Sequence, residues 1–300
     1  MHIRRSIVPE TIETFTEDLP LLSANKTSYA QLIYSSGRLY LFYRSGTSTW
    51  AYRYTTNKGV TWSDEVILVT SSVQYYCLFR PTTTTGIIRV LMQSNTQLGA
   101  ATDTNIRQAF FHTDTNTLYD SDNTTILGAS SIDKDNITII IANTENLRRQ
   151  RLLDAAITEP IRPLILYAPY NDITSFSDAV YMLYDSGTTH EVNITGLPIY
   201  GTYFLGASFI DSENIIVDHG TGSNNGMDIL TIYFYDGNTV TSQGDIYSEQ
   251  RSDIPIRNAR PIADINGRAI LWQRGKYSTT SYTDFNTDAK IYLLSTGTVI

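Results

Sequence analysis

Apolar residues along this chain fall in short alternating or continuous runs, broken every few positions by Gly, Asn, Asp or Ser, and no stretch reads as a convincing helix. The recurring unit is a strand, a two- or three-residue turn and a second apolar strand. It runs from Tyr29 to Tyr34, turns through Ser35, Ser36 and Gly37, and returns from Arg38 to Tyr43. It recurs from Arg80 through Gly86 to Met92 and from Gly128 through Lys134, Asp135 and Asn136 to Ile141. Two more copies run from Gly206 through Ser212, Glu213 and Asn214 to Val217, and from Arg260 through Asn266 and Gly267 to Trp272. The third and fourth copies share Leu-Gly-Ala-Ser-x-Ile-Asp-x-x-Asn-Ile, beginning at Leu127 and Leu205, 78 residues apart. A weaker unit between Asn143 and Gly201 contains Arg162 to Ala168 and Asp178 to Tyr184.

Four-stranded units recurring every roughly 40 to 50 residues are the mark of a propeller, in which each blade hides its faces against its neighbours. The expectation is an all-β chain, a single β-propeller domain over residues 1–300, with six blades of four-stranded antiparallel sheet. Five or seven blades also fit the spacing. Residues 1–15 are expected to complete the last blade, since a closed ring must join its ends to hide its edges.

One turn is unusually specific. Between the runs Trp50 to Tyr54 and Glu65 to Val69 stands Thr55-Thr-Asn57-Lys-Gly59-Val-Thr61-Trp62. Asn57 can accept from backbone N–H groups further along, Gly59 can take a positive φ, and the Thr55 and Thr61 hydroxyls can satisfy the remaining polar groups. Trp62 supplies an apolar anchor. The order of hydroxyl, Asn, Gly and Trp resembles the Asp-box of the bacterial neuraminidase repeat proteins, with Asn where Asp is commoner; in that family the box is structural and lies on propeller blades. An ordinary hairpin with an Asn-x-Gly turn is the plainer alternative.

Other segments are similar to the branch of that family containing ulvan-lyase-like polysaccharide lyases. They are Gly37 to Arg44 with Trp50 to Arg53, Asn105 to His112 with Leu118 to Asp122, and Ala259 to Pro261 with Ile270 to Tyr277 and Tyr282 to Phe285. Such lyases abstract a proton beside a uronic carboxylate, which takes a base of near-neutral pKa and a cation or polar group on the carboxylate. Where the family carries histidines on the second blade, this chain has Ser94 to Gln97 and Gln108. Gln takes no proton at neutral pH. A sialidase mechanism lacks its arginine segment ahead of Thr55, and Phe79-Arg80-Pro81 follows the box instead.

Composition narrows the function further. With 21 Tyr and only 17% charged residues the chain favours strands over helices. A formal charge of −8 without a basic stripe argues against a nucleic-acid partner, and Arg148-Arg149-Gln150-Arg151 is too short to form one. No apolar run is long enough to span a membrane and the N-terminal residues carry no secretory signal, so a cytoplasmic or virion location is expected. Cys77 stands alone in an apolar context and reads as a small buried hydrophobe. His2, His112, His190 and His219 form no metal-ligand spacing, so neither a metal nor a cofactor is expected.

Inner-strand positions carrying Arg44, Arg80, Gln108, Arg260, Trp272, Arg274 and Tyr277 would make an aromatic, cationic surface suited to an acidic glycan. The expected function is non-catalytic recognition of a glycan or a protein partner. The Tyr-, Thr- and Asn-rich, lysine-poor composition suits a virion component in a larger assembly, such as a phage tail or receptor-contact protein. The enzymatic alternative is a lyase or hydrolase on an acidic polysaccharide, with Tyr277 as base assisted by Arg260.

Overall fold

The computed structural model describes side chains over residues 27–94, 105–142, 152–167, 207–217 and 229–248, and the backbone of further strands. The chain divides into two compact units, Met1–Ala142 and Asn143–Ile300. A short pair, β1 (His2–Ile3) and β2 (Leu19–Pro20), opens the first unit. The first large sheet is the meander β3 (Thr27–Ser35), β4 (Arg38–Ser45), β5 (Thr49–Thr55) and β6 (Val66–Thr70). The second is the meander β7 (Tyr75–Pro81), β8 (Ile87–Ser94), β9 (Ile106–His112), β10 (Thr117–Asp120) and β11 (Ile126–Gly128).

Two short strands then depart from the expected repeat. β12 (Ile132–Asp133) pairs in parallel with β6, and β13 (Ile139–Ile141) pairs antiparallel with β9, so the segment read as a third hairpin is divided between two sheets. The cause is local. Ser131 takes φ 54° and hands its N–H to the Ile67 carbonyl, which turns the chain onto the first sheet. The one-turn 3-10 segment Lys134–Asn136 follows, with the Asp133 carboxylate accepting from the Asp135 N–H at its start. Lys134 is buried and holds the Asp135 carboxylate at 2.7 Å, while Arg107 donates to the Ile137 carbonyl at 2.6 Å. Those contacts carry Ile139 and Ile141 to β9.

The second unit keeps the four-stranded plan. β14 (Arg149–Ala155), β15 (Leu164–Tyr170), β16 (Tyr181–Asp185) and β17 (Thr189–Asn193) form one antiparallel sheet, so the weaker sequence unit is a full one. β18 (Gly206–Phe209), β19 (Asn214–Gly220), β20 (Met227–Tyr235) and β21 (Val240–Gln250) form the next. β22 (Pro255–Pro261), β23 (Ala269–Lys276) and β24 (Lys290–Ser295) form a three-stranded sheet. Residues 4–18, most of the segment expected to complete the last blade, lie outside the described residues. Among the described residues no helix is long and apolar enough to cross a membrane.

Packing follows the pleat. One row of the first sheet (Tyr40, Phe42, Trp50, Tyr52) meets one row of the second (Cys77, Phe79, Val90, Phe111), with Phe42 stacked on Phe79 at 4.0 Å between centroids. Cys77 is buried there, as its context suggested, and burial pushes its thiol pKa up. The second unit has its own core, in which Leu153, Leu164 and Leu166 pack with Phe209, Ile215 and Val217.

In each unit a polar side chain ties neighbouring inner strands together. Gln31 on β3 donates to the Cys77 carbonyl (2.9 Å) and accepts from the Phe79 N–H (3.0 Å) of β7. Asp154 on β14 accepts from the Ser208 hydroxyl and from the Phe209 N–H (3.0 Å) of β18. A half-buried amide and a buried carboxylate thus occupy equivalent clasps, each completing backbone groups that the ladders leave over.

Candidate functional site

At one end of the first sheet stands the turn singled out in the sequence. Thr55 Oγ1 donates to Asn57 Oδ1 (2.8 Å) and accepts from the N–H groups of Asn57 (3.3 Å) and Gly59 (3.1 Å). Asn57 Oδ1 accepts from the Thr61 N–H (2.9 Å), and its Nδ2 donates to Thr61 Oγ1 (2.8 Å). Lys58 and Gly59 both take positive φ, 57° and 82°. Trp62 packs against the cluster of Leu41, Tyr43 and Ala51, on the side of the sheet away from the main core. Beyond it, Tyr43 donates to Glu65 (2.5 Å) and Arg53 donates to the Ser63 carbonyl (2.8 Å). The side-chain oxygens of Thr55, Asn57 and Thr61 all bond within the turn, so it is a lock built from local contacts, while the buried Trp62 Nε1 beneath it has no acceptor.

The other end is built differently. Leu39 pairs with Thr55 beside the lock, whereas Arg44 pairs with Trp50, five residues further along β4 and so roughly 17 Å away. There the Arg44 guanidinium lies 4.6 Å from the Tyr29 ring centroid and 5.6 Å from that of Tyr76, and the two rings meet edge to face at 5.2 Å. Arg44 Nε donates to the Ser28 hydroxyl at 3.2 Å. Its Nη1 is buried and has no hydrogen-bond partner. Tyr29 sits in a bulge, where the register slips between Ser28 and Gln31, and takes φ 57° while half its surface is exposed. A left-handed aromatic residue is strained, and such strain concentrates at functional positions.

The second sheet adds a buried polar row. Arg80 pairs with Arg89 and Arg89 with Phe110; Leu78 pairs with Leu91 and Leu91 with Gln108; Tyr76 pairs with Gln93. Cross-strand partners share a face, so Tyr76, Arg80, Arg89, Gln93 and Gln108 stand on one side. Burial lowers the Arg89 pKa to about 10, with Phe110 under its guanidinium at 5.8 Å. Arg80 Nη1 donates to the Phe79 carbonyl. Gln108 is buried and its Oε1 has no partner. Ser94, pairing with Tyr75, alternates onto the opposite side from Gln108.

The residues expected to bind ligand lie on several strands of the two units. Arg44 is at the rim of the first sheet, Arg80 and Gln108 share a face of the second, and Arg260, Trp272 and Arg274 lie on β22 and β23 of the other unit. Trp272 pairs with Ala259 and Arg260 with Leu271. Tyr277 lies outside the described residues. Tyr29, Ser28 and Tyr76 were not anticipated. The bulge that brings Tyr29 to Arg44 breaks the period-two pattern by which strand faces are read, so no pattern marked it. His112 stacks on Tyr119 at 4.0 Å and meets Asn123 at 2.7 Å. No group of three His, Cys, Asp or Glu suited to a metal occurs among the described residues.

Among solved structures the chain is similar to an ulvan lyase, described as a new family of polysaccharide lyase. The TM-score is 0.66 at 15% identity, over 97% of this chain and 69% of that one. A fucose-specific lectin from Aleuria aurantia follows with TM-score 0.46 and 10% identity over 89% and 78% of the two chains. An α-L-arabinofuranosidase from Lactobacillus brevis gives 0.45 and 9% over 88% and 89%. No family model and no curated protein matches the sequence. The first similarity, spanning nearly the whole chain, establishes a shared fold, and the fold class is the all-β propeller that the hairpin repeat led us to expect.

Proposed function

We propose that this chain recognises a glycan, or a partner surface carrying one, without cleaving it. The observation that carries the reading is the rim of the first sheet, where an exposed tyrosine, a second tyrosine and an arginine with an unbonded nitrogen converge on a propeller scaffold. Aromatic rings offer a face to a pyranose, and the guanidinium adds directional donors. The absence of cleavage is supported by Gln108, a buried amide in the second-blade position that the family resemblance assigns to a histidine. The hydrogen-bonded order of the Thr55 to Trp62 turn supports its reading as an Asp-box. Binding of purified protein to a glycan array, lost in Tyr76→Ala, tests the proposal; no binding to any glycan would sink it.

The fold shared with an ulvan lyase favours one second reading, a polysaccharide lyase using Tyr277 and Arg260. Release of unsaturated ends absorbing in the near ultraviolet from an acidic polysaccharide, abolished by Tyr277→Phe, would establish it in place of the first. A place in a phage tail or similar particle is supported only by the Tyr-, Thr- and Asn-rich composition. Stoichiometric recovery of the chain with purified particles tests that placement.

A further inference from the structure

Arg44 presents a contradiction in physical terms. A guanidinium nitrogen withdrawn from water without an acceptor forfeits its hydration, and native proteins rarely leave such a group unanswered. Its Nη1 is withdrawn in this way, although Nε is satisfied by Ser28. Among the described residues no carboxylate contacts it, and the ion pairs there involve Arg107, Lys134 and Asp135. What closes over it is aromatic. Tyr29 lies on one ring contact and Tyr76 on another, and the backbone at Tyr29 is held in the left-handed region by a bulge. A tyrosine there gives up backbone preference to stay over the arginine, and an alternative extended φ is the unstrained state open to it.

We propose that Arg44 forms a covered site for a single oxyanion, a sulfate, phosphate or carboxylate group, and that Tyr29 is its cover. In the closed arrangement the cation is screened by two rings. Release of Tyr29 from its left-handed conformation uncovers Nη1, which then donates to the oxyanion while Nε keeps Ser28 and Tyr76 keeps one face of the guanidinium. Relief of backbone strain and satisfaction of the orphaned nitrogen act in the same direction, so ligand binding and opening are coupled. The inference rests on the glycan reading only for where the oxyanion comes from; the site itself can be tested with an inorganic ion.

The experiment titrates inorganic sulfate into the full chain against chloride at matched ionic strength, read by calorimetry, with circular dichroism confirming the fold of each variant. Saturable sulfate binding is expected, at least tenfold weaker in Arg44→Gln and several-fold tighter in Tyr29→Gly, which removes both cover and strain. If Arg44→Gln does not fold, Arg44→Lys, which lacks the planar fork, carries the same arm with the same expected loss. Sulfate binding no stronger than chloride, or undiminished without Arg44, overturns the site. Weaker binding in Tyr29→Gly overturns the role of Tyr29 as a cover. Dextran sulfate, which has no carboxylate, and alginate, which has no sulfate, then separate sulfate from carboxylate as the source. Sulfate binding that depends on Arg44 with no polysaccharide bound upholds the site and removes the glycan reading. Polysaccharide binding indifferent to Arg44 does the reverse.

Discussion

The two ends of the first sheet are made of different kinds of residue and meet their polar groups in different ways. At the Thr55 to Trp62 end, two threonines and an asparagine bond one another side chain to side chain and side chain to backbone, only the Trp62 indole nitrogen beneath them lacks an acceptor, and the positive φ falls on Lys58 and a glycine. At the Arg44 end, the positive φ falls on a tyrosine and a guanidinium nitrogen is left unbonded. An end whose side-chain oxygens are all met by neighbours in one turn holds the fold. An end that leaves a guanidinium nitrogen open holds free energy that a ligand can release. The contrast therefore separates scaffold from site within a single meander.

The largest effect should come from the core between the two ends, which must fail for both to be lost together. Burial raises the phenol pKa of Tyr40, Tyr43 and Tyr75 and pushes Tyr52 up to about 12, from an ordinary value of 10.0. A phenol raised in the folded state binds its proton more tightly there than in the unfolded chain, so its stabilisation is complete below pH 10 and is lost as pH climbs through 10 toward 12. Cooperative unfolding in that window is expected, with phenolate absorbance and tryptophan fluorescence changing together. Fluorescence change well before ionisation would mean that the ends unfold independently of the core.

Next in size is the lock. Gly59→Val places a β-branched residue at φ 82°, where the nearest atoms to a new Cβ are those of the Trp62 ring at 3.9 Å, so the cost is conformational rather than steric. A loss of about 2–3 kcal/mol is expected in urea unfolding. Asn57→Ala removes the acceptor of the Thr61 N–H and the donor to Thr61 Oγ1, and should cost about 1–2 kcal/mol. In both variants ligand affinity at the Arg44 end should be unchanged among molecules that remain folded. A parallel loss of affinity would break the separation of scaffold from site.

The same contrast explains what could be read from the sequence. The lock was legible because its chemistry is local: residues four apart meet in one turn, and Asn, Gly and Thr at that spacing admit few conformations. The hairpins were legible for the same reason, as at Ser36 and Gly37, where φ of 50° and 78° closes the first of them between Ser35 and Arg38. The Leu-Gly-Ala-Ser repeat marks where legibility ends. Its second copy closes as the hairpin β18–β19, with Phe209 buried opposite Ile215 and the Asp211 carboxylate capping the turn. Its first copy has Ser131 where the second has Phe209, so no large apolar residue holds that strand in place, and the segment goes to two different sheets. The Arg44 cluster was half legible. The arginine stood out by its family resemblance, but Tyr29 and Tyr76 come from different sheets and meet only through a bulge and packing.

The smallest effect on stability is expected at Arg44 itself, and its smallness is the informative result. Arg44→Met keeps the unbranched stem and its packing beside Trp50 on the neighbouring strand, gives up the bond to Ser28, and removes the nitrogen that has no acceptor. Losing the Ser28 bond and the contacts to two rings costs stability, whereas removing a desolvated, unpaired donor returns it. These terms are each about 1 kcal/mol and opposed. The net change should fall within about 0.5 kcal/mol of zero in urea unfolding, the range of an ordinary surface position despite a side chain enclosed by aromatic rings. A loss above about 2 kcal/mol would instead make Arg44 a structural pin like Asn57, and the two ends of the sheet would then differ only in which residues hold them.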